Sequence, residues 1–479
     1  MEGLKIVNIG GGSLYTPDFG EELEKIKESF PVREWVLMDI DEERLKAVGV
    51  MTEHAMKQID FPVKITHTTN LQEAVKDANF VFTTFRVGGT QGRIIDEKIS
   101  EQNGLIGQET TPPGGLAMAL RNVPVLVEVA RAVEELAHPG AWLINLANPA
   151  GLLTEAVHRY TKCNIIGLCN WPTLFYKGTV DAYGVDPKDV FLKFVGVNHM
   201  NWADPYVKGK RKGVEAFNKF VREGFGKNFG LKGDEGVKKA LDMFPSPEIS
   251  DFVGWPYLPA YMKLYYETDE VKESKIFSSA MWDLMKDSLG EIIPEIILDK
   301  IDMTGANTRG EYIAVLESLS VDLYDEKNEA GRALVHSTRG GGSYAECGIA
   351  VANAIHNNTG EILVVDHPNW GTVKGIDYDD VIEGPCVING AGAWPVAMGA
   401  IPTHMTFLIQ EAKHYEKLTA KAAMEGNYHA ALEALVISPL LHSYHKSRSV
   451  LDDLLVAHKE YLPNFSEVIA KIEKGERPF

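Results

Sequence analysis

Cysteine is scarce in this chain: Cys163, Cys169, Cys347 and Cys386 are the only four in 479 residues, and no two form a C-x-x-C pair. That excludes a disulfide-dense scaffold and a zinc-ribbon or thioredoxin-type motif. It predicts a reducing, cytoplasmic setting with the cysteines buried or acting as ligands. Positive charge is also short, with 48 Lys and Arg against 67 Asp and Glu and a net charge of −19. Such a balance argues against nucleic acid and anionic membranes as partners. It leaves a neutral small molecule, or an anionic one gripped by a local basic pocket. No apolar run reaches membrane-span length. The chain enters a strand within its first residues, so no signal peptide is expected. Internal repeats and low-complexity linkers are absent as well. A chain of this length exceeds one ordinary core, and two domains are predicted, 1–196 and 197–479.

What is present begins at the N-terminus. Lys5-Ile6-Val7-Asn8-Ile9 runs into Gly10-Gly11-Gly12-Ser13-Leu14, and Asp39 follows a second strand. A strand, a glycine turn, a helix and then an acid at the end of the next strand make a dinucleotide site. The glycines admit a pyrophosphate to the backbone, the helix N-terminus faces it, and the acid holds ribose hydroxyls. A bare glycine triplet also occurs wherever a loop needs positive φ. The third glycine of the usual pattern is replaced by Tyr15 or Thr16, which predicts a helix starting further from the sheet.

Periodicity predicts strands at 4–9, 35–40, 63–66, 80–85, 142–146 and 165–169. Helices are predicted over 17–28, 42–58, 71–76 (capped by Asn70) and 118–137. This alternation calls for an α/β fold with a Rossmann-like, doubly wound parallel sheet. After Val195 the pattern becomes α+β, and strands are expected over 191–207, 361–366 and 381–388. Residues 213–290 read as mostly helical, and a closing helical layer ends the chain. Arg86, Arg93, Asn148, Cys169 and Asn170 all follow predicted strands, where ligands sit in such sheets.

Four groups could carry chemistry. Cys169 and His199 each follow a strand, and a thiolate with an imidazole suits a divalent transition ion. A buried cysteine and a hydrogen-bonded histidine would read the same. The loop from Gly107 to Gly115 sets Glu109, Thr110 and Thr111 in a Pro/Gly frame, as either a site lining or a structural turn. Tyr257, Tyr261 and Tyr265 share a helical face, which is a core stripe or, beside a cation, the source of a base. The turn Arg339-Gly340-Gly341-Gly342-Ser343-Tyr344 opens on a cation, is not read as leading into a helix, and lacks a Lys-Ser/Thr pair. A P-loop is therefore rejected. His442 and His445, at i and i+3, read as helix surface or interface.

Taken together, several ordered segments resemble glycoside hydrolase family 4, the NAD- and metal-dependent glycosidases. They are Ile9 to Pro17, Asp39 to Glu42, Phe85 to Gly89, Gly104 to Thr110, Asn148-Pro149, Gly167 to Asn170, Gly196 to His199 and Arg339 to Gly341. Within the family the chain is most similar to the 6-phospho-β-glucosidase branch. The resemblance implies a lactate/malate dehydrogenase-like fold with a C-terminal α+β domain, and a homodimer or homotetramer. It places NAD at Gly10, Gly11, Gly12, Ser13, Leu14, Asp39 and Arg86, and Mn²⁺ or another divalent ion on Cys169 and His199. A small-molecule β-glycoside would meet Arg93, Asn148, Asn170 and Arg339. Tyr261 is implied as the catalytic base, with Tyr257 the competing register, and Glu109 as a possible acid.

The implied chemistry avoids the usual carboxylate pair. It runs through oxidation at C3, loss of the C2 proton, elimination of the aglycone, addition of water and return of hydride. Asn170 stands where some α-specific members carry an acid, which points to β-glycosides. No arginine occurs between Tyr261 and Arg309, and Gly342 stands where the branch often has serine. Both changes remove donors suited to a phosphate, so unphosphorylated glucosides, galactosides or glucuronides are an open alternative. A lactate/malate-type dehydrogenase and a non-catalytic NAD sensor are two further readings.

Overall fold

The computed structural model describes residues 3–213 except Leu14, Ile106 and Gly107, and residues 343–478 except His442. It also describes Ala216, Lys219 and two short strands at 248–249 and 252–254. Tyr257, Tyr261, Tyr265, Leu14, Arg339, His442 and nearly all of the helical stretch expected over 213–290 lie outside the described residues.

The first half alternates as the periodicity predicts. β1 (Leu4–Ile9), α1 (Thr16–Lys25), β2 (Val32–Met38), α2 (Glu42–Gln58), β3 (Lys64–Thr68), α3 (Leu71–Val75) and β4 (Phe80–Thr83) come first. Then follow α4 (Gly89–Gln102), α5 (Gly114–Leu136), β5 (Trp142–Asn145), α6 (Ala150–Tyr160), β6 (Ile165–Gly167) and α7 (Asn170–Tyr183). Their strands pair in parallel in the order β3-β2-β1-β4-β5-β6, the doubly wound arrangement with its crevice beyond the carboxyl ends. Asn70 caps α3 as expected, accepting from the Glu73 N–H at 3.1 Å. Helix α4 was not expected. Its Gly-Gly-Thr-Gln-Gly start reads as loop, yet Ile94 and the buried Arg93 and Glu97 turn one face inward.

The second half is antiparallel. It comprises β7 (Val190–Val197), β8 (Met200–Val207), β9 (Lys210–Arg211), β10 (Glu248–Ile249), β11 (Phe252–Gly254), α8 (Tyr344–Asn357), β12 (Glu361–Pro368), β13 (Val381–Asn389) and β14 (Gly392–Pro395). Four helices close the chain: α9 (Thr403–Glu425), α10 (Tyr428–Ile437), α11 (Tyr444–Ala457) and α12 (Ser466–Glu473). The hairpin of β12 and β13 enters the sheet between β6 and β7, and single residue pairs make the two joints. Asp366 pairs with Gly167, and Glu383 with Gly196. One sheet therefore runs across the boundary expected at residue 196.

Helix α8 corrects the reading of the Arg339–Glu346 turn, since a helix begins directly at Tyr344. Ala345, Ile349, Ala352 and Ile355 recur at helical spacing and are buried, a period the glycine run obscured. Successive strand residues feed opposite cores. Ile6 packs with Phe19, Trp35 and Ile349 under α1 and α8. Val7 packs with residues of α5, α6 and the C-terminal helices. The last seventy residues are thus the packing layer that the sequence predicts. Each fully buried aliphatic side chain contributes about 1.5–3 kcal/mol, and the polar Asn8 between them receives the Trp35 indole N–H at 2.9 Å. The cysteines are free thiols; three are buried and Cys163 is half-buried. Among the described residues, no helix is long and apolar enough to cross a membrane.

Candidate active site

The glycine turn is tightly built. Gly10 and Gly11 both donate their N–H to Met38 O, at 2.9 and 2.8 Å. Gly10 has φ +91°, and a Cβ there would fall 2.6 Å from Phe85 N. A Cβ on Gly11 would meet Leu37 Cβ at 2.9 Å, and one on Gly12 would meet Asp39 Oδ2 at 2.9 Å. Neighbouring backbone excludes a side chain at Gly10 and Gly11, and one at Gly12 would displace the Asp39 carboxylate. Asp39 accepts from Gly12 N at 2.9 Å and from Asp41 N at 3.1 Å, so its carboxylate is fixed at the turn. The missing third glycine does not leave α1 remote. Thr16 Oγ1 donates back to Gly11 O at 2.9 Å, and the close approach comes one turn later at Gly20, where a Cβ would sit 2.1 Å from Met56 Cε. The turn and its acid fit a dinucleotide.

Next to it lies a charged cluster. Arg86 follows β4 and Arg93 lies on α4, and both reach Glu109 Oε2, at 2.5 and 2.9 Å. Arg93 also donates from Nε to Glu97 at 2.7 Å. Burial opposes its charge, but Glu109 and Glu97 outweigh burial and hold the guanidinium more firmly protonated than usual. The turn from Gln108 to Thr111 that carries Glu109 is pinned by Gln108 Oε1, which accepts from Thr110 N and Thr111 N. Thr111 is followed by the cis Pro112–Pro113 bond and then α5. A buried triad backs this corner. Arg121 forks onto Asp96 at 2.9 and 2.7 Å, and His458 Nε2 lies 2.6 Å from Asp96 Oδ1. Arg121 Nε donates to Val87 O at 3.1 Å, next to Arg86.

Cys169 caps α7, and His199 sits in the β7–β8 turn with φ +66°. Cys169 Sγ and His199 Nε2 are 3.9 Å apart. Two ligands of one ion can span that separation with bonds of about 2.1 and 2.3 Å. Burial pushes the Cys169 thiol well above its ordinary pKa. Glu383 and Asp366 add to this, while the Trp171 N–H and the Asn198 side chain oppose it. A cation here would reverse that balance, so the donor pair fits a divalent ion. Among the described residues no set of three or more His, Cys, Asp or Glu side chains could hold a metal, so these residues offer the ion the Cys169–His199 pair. Asn170 Oδ1 lies 4.0 Å from Cys169 Sγ.

Tyr344 ties these parts together, and the sequence reading assigned it no role. Its ring centroid is 5.7 Å from that of Tyr15, on the glycine turn. Burial raises its hydroxyl pKa well above the usual value. Cys169, Tyr15 and Glu109 add to the rise, and a hydrogen bond with the Asn148 side chain works the other way. Asn148 is in turn held through its carbonyl by Asn122 Nδ2 at 2.9 Å. The glycine turn, Arg86, Asn148 and Cys169 follow β1, β4, β5 and β6, at the carboxyl ends where ligands sit in such sheets, and Tyr344 stands among them. The signal for Tyr344 was its place just after a glycine run, at what proves to be a helix start.

The model of the family 4 glycosyl hydrolases matches residues 5–183, and that of the family's C-terminal domain matches residues 194–441. The chain belongs to glycoside hydrolase family 4. A probable 6-phospho-β-glucosidase of Bacillus subtilis is 35% identical over 472 residues, covering 97% of this chain and 98% of the relative. The structure of a 6-phospho-α-glucosidase from gut microorganisms, in complex with NAD and glucose-6-phosphate, superposes with a TM-score of 0.78 at 26% identity. It covers 96% of this chain and 99% of that one. The 6-phospho-β-glucosidase of Thermotoga maritima with manganese, NAD⁺ and glucose-6-phosphate gives 0.73 at 26%, with the same coverage. The family 4 chain is accordingly a glycosidase, which leaves the dehydrogenase and sensor readings without support.

Proposed function

We propose that this family 4 enzyme hydrolyses 6-phosphorylated β-glucosides, using NAD and a divalent ion such as Mn²⁺. The observation that carries the reading is the 3.9 Å approach of Cys169 Sγ and His199 Nε2, at the same end of the sheet as the glycine turn and Asn148. The dinucleotide would lie on Gly10, Gly11, Gly12, Ser13 and Leu14, with its ribose at Asp39 and Arg86 nearby. Cys169 and His199 would hold the ion. When bound, NAD supplies a hydride acceptor for C3 of the sugar, and the ion supplies a Lewis acid for the neighbouring oxygens.

The chain's own side chains do the rest. Arg93, Asn148, Asn170 and Arg339 orient the sugar, and Tyr261 takes the proton from C2. Glu109, between two guanidinium groups, shapes the sugar pocket. Asn170 offers no acid to an axial leaving group, which favours the β anomer. The similarity to 6-phospho-glucosidases of both anomers supports a phosphate on the substrate. The lack of arginine between Tyr261 and Arg309 sets its recognition apart from the branch pattern.

Turnover of nitrophenyl β-glucoside 6-phosphate is expected with NAD⁺, Mn²⁺ and a thiol reductant, together with slower turnover of the unphosphorylated glucoside and the α-anomer. In D₂O the released sugar should carry deuterium at C2. Product without C2 label would overturn the elimination route, and equal turnover without the phosphate would overturn the substrate assignment.

A further inference from the structure

His199 occupies left-handed backbone space in the two-residue turn between β7 and β8, which is uncommon for a residue with a side chain. The residues on either side are held from one point. Asn198 Nδ2 donates to Glu383 Oε1 at 3.3 Å, and Asn201 Nδ2 donates to Glu383 Oε2 at 2.6 Å. The Asn198 side chain also acts on Cys169, favouring its thiolate against burial. Glu383 is 1% exposed and stands at the joint of β13 with β7, opposite Gly196. Its counterpart Asp366, also buried, stands at the joint of β12 with β6, opposite Gly167 and two residues before Cys169. Each half of the thiol–imidazole pair therefore follows a junction that a C-terminal carboxylate occupies.

We infer that Glu383 is a positioning residue for the metal pair. By accepting from both asparagines it sets the turn that aims His199, and through Asn198 it sets the donor beside Cys169. A carboxylate suits this role because it offers two acceptor oxygens and no donor. An amide in its place would turn an N–H toward one asparagine N–H, and the clamp would lose one side. The inference rests on Cys169 and His199 as the ion's ligands. Groups behind metal ligands commonly set affinity by 10- to 100-fold.

The test is a Mn²⁺ titration of the full chain with NAD⁺ present, following the paramagnetic resonance of the free ion, alongside NAD⁺ affinity by fluorescence. Glu383→Gln should weaken Mn²⁺ binding by about 10- to 100-fold and leave NAD⁺ affinity unchanged. Asn201→Ser, which removes only the 2.6 Å bond, should shift Mn²⁺ affinity in the same direction by a smaller factor, and it decides the matter if Glu383→Gln does not fold. Mn²⁺ binding within twofold of the parent in the folded variants would overturn the inference. Equal losses of Mn²⁺ and NAD⁺ affinity would overturn it too, since general loosening would act on both. A parent protein that binds no Mn²⁺ would instead overturn the metal reading, and the inference with it.

Discussion

Glu109 and Arg93 form a largely buried ion pair, with Oε2 2.9 Å from Nη1, and Arg86 joins the same oxygen from the other side. Glu109→Gln removes the charge that both guanidinium groups share, although Arg93 keeps Glu97. Two charge-assisted bonds are weakened, each worth about 1.5–3 kcal/mol. kcat/KM should fall by about 10- to 100-fold, equally for nitrophenyl and for alkyl aglycones. Paired Michaelis–Menten measurements check this. A variant crippled only with the poor leaving group would make Glu109 a proton donor instead.

Asp39 is held against the turn by Gly12 N and Asp41 N, and Arg44 Nε lies 2.7 Å from Gly12 O. Asp39→Ala should weaken NAD⁺ binding by about 10- to 100-fold, the scale of one lost charged hydrogen bond or two. Asp39→Ser should narrow the preference for NAD⁺ over NADP⁺, because Arg44 is then placed to meet a 2′-phosphate. Fluorescence titrations with both dinucleotides measure the ratio. An unchanged ratio would remove Asp39 from the ribose site.

Asp96 and Arg121 are almost fully buried, with side chains 1% and 0% exposed. Asp96→Asn leaves a buried guanidinium short of its counter-charge and should destabilise the fold by about 3–5 kcal/mol. The chemical denaturation midpoint should drop accordingly. Replacing His458 with Gln, which keeps a polar group beside Asp96, should cost less.

His367 is 2% exposed, and burial pushes its imidazole down to about 4 from an ordinary 6.5. The unfolded chain therefore takes up a proton near 6.5 that the native state refuses until about 4. The contribution to stability is complete above pH 6.5. It is lost as pH falls toward 4, up to about 3 kcal/mol by linkage. Thermal midpoints of the parent should fall over that interval, and His367→Phe should flatten the decline. Parallel curves for the two proteins would count against it.

Much of the first half was legible because its signals are local. The run from Leu4 to Ile9 is apolar on both faces, as a parallel strand covered by helices must be, and Asn70 advertises its cap. Helix α4 was not legible, since Gly89 and Gly92 disfavour helix by propensity and the partners that hold it lie elsewhere in the chain, Glu109 for Arg93 and Arg121 and His458 for Asp96. Cys169 and His199 were legible as chemistry by residue type. Their 3.9 Å approach was not, because Asp366 and Glu383, far along the chain, make the joints that set it. Tyr344 was hidden for a related reason: a helix start after three glycines leaves little periodicity to read.

The two joints also have a consequence in time. Asn198 and Glu383 are 185 residues apart in the chain. At roughly 5–20 residues per second, a ribosome needs about 10–40 s to pass from one to the other. Through that interval every parallel strand of the dinucleotide frame has already been made, while the turn bearing His199 waits for its partner. A nascent chain halted before Val381 lacks Glu383 and should therefore be unready for the ion, although every parallel strand is already present.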